Sequence, residues 1–187
     1  MRIGQGFDAH RFSVPAASAD SDGSSSPAPR ELWLACMRWT DDERRGVQGF
    51  AGDSDGDVAA HALIDAMLSA CGMGDIGGFF GVGAASAGAG RHGADMVCEV
   101  ARRCAEDGWT FVNGCVSIVC NDPHVSRHRG DAEEAMGRAA GFPVSITATT
   151  TDGMGFTGRG EGASALATVL AVRTGRGAAD LSAGNAR

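Results

Sequence analysis

The chain has 187 residues, with 16 Lys and Arg against 23 Asp and Glu and a formal net charge of −7. That length suits one ordinary domain with a sizeable core. The acidic balance excludes a general nucleic-acid or anionic-membrane surface, which needs a basic footprint, and leaves open a small anionic ligand neutralised by metals or backbone amides.

Residues 1–10 and 31–39 ("ELWLACMRW") read as short strands able to pair across the stretch between them. Residues 13–30 hold six serines and three prolines and almost no large apolar side chain, so a mobile surface insert is expected there. "SDGDVAAHALIDAMLSACG" reads as a helix with Ser54 as N-cap, Asp57 three positions on and Gly72 as its stop. A second helix covers "GADMVCEVARRCAEDG". "WTFVNGCVSIVC" has the β-branched and aromatic content of a strand, ended by Asp122-Pro123. A third helix is expected over 127–140 and strands over 144–151 and 162–173, with a fraying polar tail over 174–187. Strands and helices interleave without regular βα repetition. The expected fold is therefore a single α+β domain, 1–173, with helices packed on one face of a mixed sheet.

The six cysteines (Cys36, Cys71, Cys98, Cys104, Cys115, Cys120) form no C-x-x-C pair and fall mostly in apolar runs, as reduced core thiols do. No segment reaches the ~20 apolar residues that cross a bilayer, and the first ten residues lack the basic-then-apolar order of a signal peptide. A cytoplasmic protein with no membrane or nucleic-acid partner is expected.

Two regions carry chemistry. Asp8 and His10 are two apart in an extended segment and so share a face. His61 lies in the first helix, with Asp57 and Asp65 four residues to either side. Catalytic zinc takes three protein ligands and keeps one position open. Asp8, His10 and His61 fit that count, with Asp57 or Asp65 free to orient an imidazole. The same spacing also fits a turn aspartate, a surface histidine and a helix histidine held by carboxylates. The second region is "TTTDGMGFTGRGEG", where Thr149, Thr150 and Thr151 run into a glycine-rich loop. Hydroxyls and glycine amides at a strand end suit phosphate oxygens, and Asp152 suits a hard divalent cation. A plain glycine turn with Arg159 and Glu161 as a surface pair fits that stretch too.

The blocks "RIGQGFDAH", "SDGDVAAHALIDAMLSACGMGDIG", "GAD" and "ATTTDGMGFTGRGEG", in this order, resemble the 2-C-methyl-D-erythritol 2,4-cyclodiphosphate synthase family, cyclases of the non-mevalonate isoprenoid pathway, over about residues 1–12 and 31–173. The resemblance implies zinc on Asp8, His10 and His61, and Mg²⁺ or Mn²⁺ on Asp152. It implies a transition-state role for Thr150, and contacts to the methylerythritol and ribose region from Asp75 and Gly77. A cytosine pocket is implied at Cys120, Pro123 and His124, where His124 replaces a lysine common in the family. It further implies a homotrimer with interfacial sites and a central channel open to an isoprenoid diphosphate, near whose mouth Phe156 and Arg159 would lie.

Two departures stand out. The family motif that here reads "GDSDGD" usually places a phosphate-stabilising histidine at position 53, beside Ser54, and the loop "GVGAASAGAGRH" lacks the acidic residues often found there. Asp53 is repulsive beside phosphates unless protonated, cation-bound or turned away. Alternatives are therefore a trimeric isoprenoid-diphosphate-binding or regulatory homologue with weak or lost cyclase activity, and a zinc phosphohydrolase giving linear products.

Overall fold

The computed structural model describes residues 1–13 and 30–173. The expected mobile insert, apart from its end residues Ser13 and Arg30, and the expected tail lie outside the described residues. In chain order the elements are β1 (Arg2–Arg11), β2 (Trp33–Leu34), β3 (Met37–Arg38), α1 (Thr40–Arg44), α2 (Val58–Cys71), α3 (Ile76–Phe80), α4 (Gly93–Glu106), β4 (Trp109–Val119), α5 (Arg129–Ala140), β5 (Val144–Thr149), α6 (Gly155–Gly158) and β6 (Gly162–Arg173).

The main sheet has the order β1-β6-β4-β5. β6 runs antiparallel to both β1 and β4, while β4 and β5 are parallel, so the sheet is mixed as expected. The pairing expected between residues 1–10 and 31–39 does not form. β1 takes β6 as its partner, and residues 33–38 close on themselves as a tight hairpin through Ala35 and Cys36, both at positive φ. Those two residues adopt the left-handed conformation because the Asp57 carboxylate accepts from both of their amides, at 2.8 and 2.6 Å.

Asp57, not Ser54, is the N-cap of α2: its side chain accepts from the N–H groups of Ala59 and Ala60. With four backbone donors on one buried carboxylate, the hairpin and the helix start become a single unit. Gly72 ends α2 in the left-handed conformation, as the sequence suggests. Helix α2 is buried on nearly every side, sandwiched between β1 and β6 beneath and α4 alongside. Its approach to β1 depends on Gly4 and Gly6, where a Cβ would run into the backbone of Ala66 and Ala62.

The opposite sheet face carries Ile3 at 72% exposure, Phe7 at 56% and Leu166 at 41%. Of the cysteines, Cys36, Cys71, Cys104 and Cys120 are buried, but Cys98 and Cys115 are exposed, so the core-thiol reading holds for four of the six.

Candidate metal centre and substrate pocket

Alternation along β1 sends Gly4, Gly6, Asp8 and His10 toward α2, and the two glycines let the helix come close enough for its fourth residue, His61, to meet the strand's polar end. Asp8 Oδ2 lies 3.0 Å from both His10 Nε2 and His61 Nδ1, and the two imidazole nitrogens are 3.1 Å apart. Four tetrahedral ligands at ~2.0–2.1 Å from zinc stand roughly 3.3 Å from one another. The three atoms therefore have a spacing that a metal ion fits.

The tautomers agree with that fit. His10 Nδ1–H donates to the Ala51 carbonyl at 2.7 Å, which leaves the Nε2 lone pair facing Asp8. His61 Nε2 meets Ser54 Oγ at 3.1 Å; in the tautomer with the hydrogen on Nε2 this bond leaves the Nδ1 lone pair facing the same point. Ser54 Oγ is itself fixed by the amide of Gly56 at 3.2 Å. A carboxylate and two imidazole lone pairs aimed at one another require protons or a cation between them. Without metal, burial works against ionisation of Asp8, but hydrogen bonds from His10 and His61 more than reverse this and hold its carboxyl well below the usual range. For His10 burial acts downward, and the hydrogen bond and charge of Asp8 outweigh it, so its pKa is raised.

The expectation that Asp57 or Asp65 orients an imidazole is not met. Asp57 is committed to four amides, and Asp65 accepts from the Ile76 amide at 2.7 Å, tying α2 to the start of α3. The partners that do orient the histidines are the Ala51 carbonyl and the Ser54 hydroxyl. A backbone carbonyl leaves no residue-type signal in a sequence, whereas Ser54, placed seven residues before His61 by a chain turn at Gly56, was expected as a cap and, through the family resemblance, as a substrate contact, not as a partner of His61.

Beside the triad lies a cavity of about 190 Å³, whose walls include Asp53, Gly77, Phe80, Val82 and Ser86. Asp75 is not part of this lining; it is the N-cap of α3, accepting from the Gly78 amide at 2.7 Å. Asp53 Oδ2 accepts from the Gly83 amide at 2.8 Å, so this oxygen is aimed at the loop that follows α3.

A second cavity, about 150 Å³, is lined by Cys120, Pro123, His124, Ser126, Thr149 and Thr150. Burial pushes the Cys120 thiol up to about 12, so it acts as an apolar wall. Thr150 Oγ1 donates to Asp152 Oδ1 at 3.3 Å, and Asp152 is exposed at φ 51°. The Thr149 hydroxyl donates to the Thr150 carbonyl at 3.3 Å. The Thr151 hydroxyl instead donates to the Met154 carbonyl at 2.5 Å and meets Thr157 at 3.1 Å, which turns the chain into α6. Arg159 pairs with Glu161 at 2.6 Å, and Phe156 is 39% exposed.

The expected site residues thus form two groups. Asp8 and His10 are on the edge strand β1, and Thr149 ends the opposite edge strand β5, with β6 and β4 between them. At ~4.8 Å per strand the separation is roughly 14 Å.

Comparison with known proteins places the chain in a family. The YgbB family model covers residues 1–172. The chain is 52% identical over 174 residues to the 2-C-methyl-D-erythritol 2,4-cyclodiphosphate synthase of Bifidobacterium longum subsp. infantis, covering 90% of this chain and 94% of that one. The chain belongs to this cyclodiphosphate synthase family. The synthase of Acidothermus cellulolyticus is 36% identical over 169 residues, covering 90% and 92% of the two chains. A solved cyclodiphosphate synthase structure described as a CDP-bound form superposes with a TM-score of 0.70 at 26% identity, covering 91% of this chain and all of that one. The bifunctional IspDF of Campylobacter jejuni gives 0.75 at 26% identity, covering 92% of this chain and 42% of that longer one.

Proposed function

We infer that this synthase converts 4-diphosphocytidyl-2-C-methyl-D-erythritol 2-phosphate to 2-C-methyl-D-erythritol 2,4-cyclodiphosphate with release of CMP. The observation that carries the reading is the convergence of Asp8, His10 and His61 at 3.0–3.1 Å beside a cavity walled by Gly77 and Phe80. The 2-phosphate is already an anionic nucleophile, so attack on the β-phosphorus needs no general base. Catalysis then consists of folding the substrate and matching its charge. Asp8, His10 and His61 would hold zinc, which supplies Lewis-acid polarisation of a phosphate oxygen. Asp152 would hold Mg²⁺ or Mn²⁺; one exposed carboxylate beside a phosphate site suits an ion that takes most of its ligands from substrate and water. Thr150 offers its hydroxyl, now on Asp152, to the diphosphate. The Asp75–Gly77 turn faces the sugar, and Cys120, Pro123 and His124 enclose the cytosine.

The active unit in this reading is a homotrimer. The metal centre and the threonine loop sit on opposite edges of one sheet, and a head-to-tail ring brings one edge of each copy against the other edge of its neighbour. The exposed Ile3, Phe7 and Leu166 supply an apolar face for that ring. Phe156 and Arg159 would border its central channel, open to an isoprenoid diphosphate. No helix among the described residues is long and apolar enough to cross a membrane; the reading places the enzyme in the cytoplasm. Neither the relatives nor the geometry favours the non-catalytic homologue.

The test is incubation of the purified chain with the diphosphocytidyl substrate, zinc and Mg²⁺ or Mn²⁺. CMP and a product of cyclic mass are expected. A product heavier by one water would assign a hydrolase, and no product at high enzyme concentration would overturn the reading. Light scattering should give three chains per particle, and an active monomer would overturn the interfacial site.

A further inference from the structure

Two residues of the segment before α2 bind the loop after α3 at both of its ends. Asp53 Oδ2 accepts from the Gly83 amide at 2.8 Å, and the Asp53 carbonyl accepts from the Gly90 amide at 2.8 Å. Two residues on, the Asp55 amide donates to the Arg91 carbonyl at 3.1 Å, and Asp55 Oδ2 accepts from the Gly93 amide at 2.7 Å. The segment thus clasped includes Val82, Ser86 and Gly88, which form one wall of the cavity beside the metal triad.

Inside the loop the Ala87 amide donates to the Phe80 carbonyl and the Ser86 amide to the Gly83 carbonyl, both at 2.9 Å, and Arg91 pairs with Glu99 at 2.6 Å, so its middle and far end have ties of their own while Gly83 is held from outside by Asp53. Gly81, Gly83 and Gly90 are all at positive φ, and a side chain built at Gly83 or Gly90 would meet nothing within 4 Å. Such a glycine-rich backbone loses much freedom when it orders. The acceptors on Asp53 and Asp55 add fixed points at its two ends. The Arg30 guanidinium donates to the carbonyls of Gly52 and Ser54, on either side of Asp53, and so fixes the backbone that carries it.

We propose that Asp53 is a positioning residue, which holds the Val82–Gly90 loop as a wall of the substrate pocket through Gly83 rather than contacting the transferring phosphate. The role rests on the cyclase reading, but its first measurement does not. In the zinc-loaded protein without substrate, amide hydrogen exchange at Gly83 should speed up roughly three- to tenfold in Asp53→Ala, the weight of one exposed hydrogen bond. Zinc content should stay as in the wild type. Asp53→Asn keeps an acceptor oxygen and should restore most of the protection.

In turnover, Asp53→Ala should raise KM more than it lowers kcat, Asp53→Asn should recover most of that KM, and Asp53→His should not turn over faster than the wild type. Unchanged Gly83 exchange in Asp53→Ala overturns the proposal. So does a kcat above wild type in Asp53→His, which would assign the position to the phosphate. If no variant and no wild-type protein makes product, the cyclase reading fails while the exchange result still decides the clasp.

Discussion

Gly6 of β1 lies against Ala62 of α2 with no room for a Cβ between them. Ala62 follows His61, and Gly6 is two residues before Asp8, so this contact sets the distance across which Asp8 and His61 meet. In Gly6→Ala the strand and helix must separate. The expected cost is about 1–3 kcal/mol, as for other overpacked cores, with zinc affinity falling because Asp8 and His61 are drawn apart. Urea unfolding and metal analysis of the same preparation check both effects. Wild-type stability together with full zinc content would show that the close approach does not set the site.

The fold was legible in the sequence where periodicity and punctuation agreed. The helix ending at Gly72, the strand stopped at Asp122-Pro123 and the strand over 162–173 all stand where the residues place them. Residues 31–39 were misread as a partner for β1 because pairing across a gap carries no local signal. What decides it is Asp57, whose carboxylate gathers the amides of Ala35 and Cys36 from 21 and 22 residues away. Spacing offered Asp8, His10 and His61 as one of two readings, since a strand period and a helix period each leave a trace, and the family resemblance selected it; the structure brings the three together. Ala51, Ser54 and Gly83 were not found in their present roles, because they act through backbone groups or a loop crossing. The glycine pair at 4 and 6 facing alanines at 62, 66 and 70 was the one readable sign of how close β1 and α2 come.

Ser54 holds the Nε2–H of His61 at 3.1 Å, and so fixes which nitrogen faces Asp8. Removing such a partner typically costs 10- to 100-fold in metal affinity. Ser54→Ala should therefore weaken zinc binding by about that factor in competition with a chelator, measured without substrate. Ser54→Thr keeps the hydroxyl and should lose much less. Equal affinities for the alanine variant and the wild type would mean that α2 packing alone orients the imidazole.

Asp152 sits exposed in a left-handed turn, with the Thr150 hydroxyl on its carboxylate. Asp152→Asn keeps the shape and the hydrogen bond but removes the charge. Half-maximal activity should need about tenfold more Mg²⁺ or Mn²⁺, while zinc content and the unfolding midpoint stay close to wild type. A superimposable metal titration would take the divalent ion away from this residue.

The metal-free and zinc-loaded proteins should respond to pH in opposite directions. Without metal, the folded state raises the His10 pKa above its ordinary 6.5 and lowers that of Asp8 below its ordinary 3.8. The stability that the His10 contacts contribute is fully present below pH 6.5 and is lost as pH rises through the raised value. The Asp8 share is present above pH 3.8 and is lost as pH falls through the lowered one. The metal-free protein should thus draw most from this cluster between about pH 4 and 6.5, and weaken toward pH 8.5. Zinc bound at the proposed triad would displace the proton from His10, so its affinity should rise over that same upper range. Thermal unfolding at pH 5.5 and 8.5, with chelator and with zinc, checks this directly. The stabilisation by zinc should be larger at pH 8.5, and His10→Gln should flatten both dependences. If the zinc increment is the same at the two pH values, no proton leaves the triad when the metal binds, and His10 Nε2 is not a ligand.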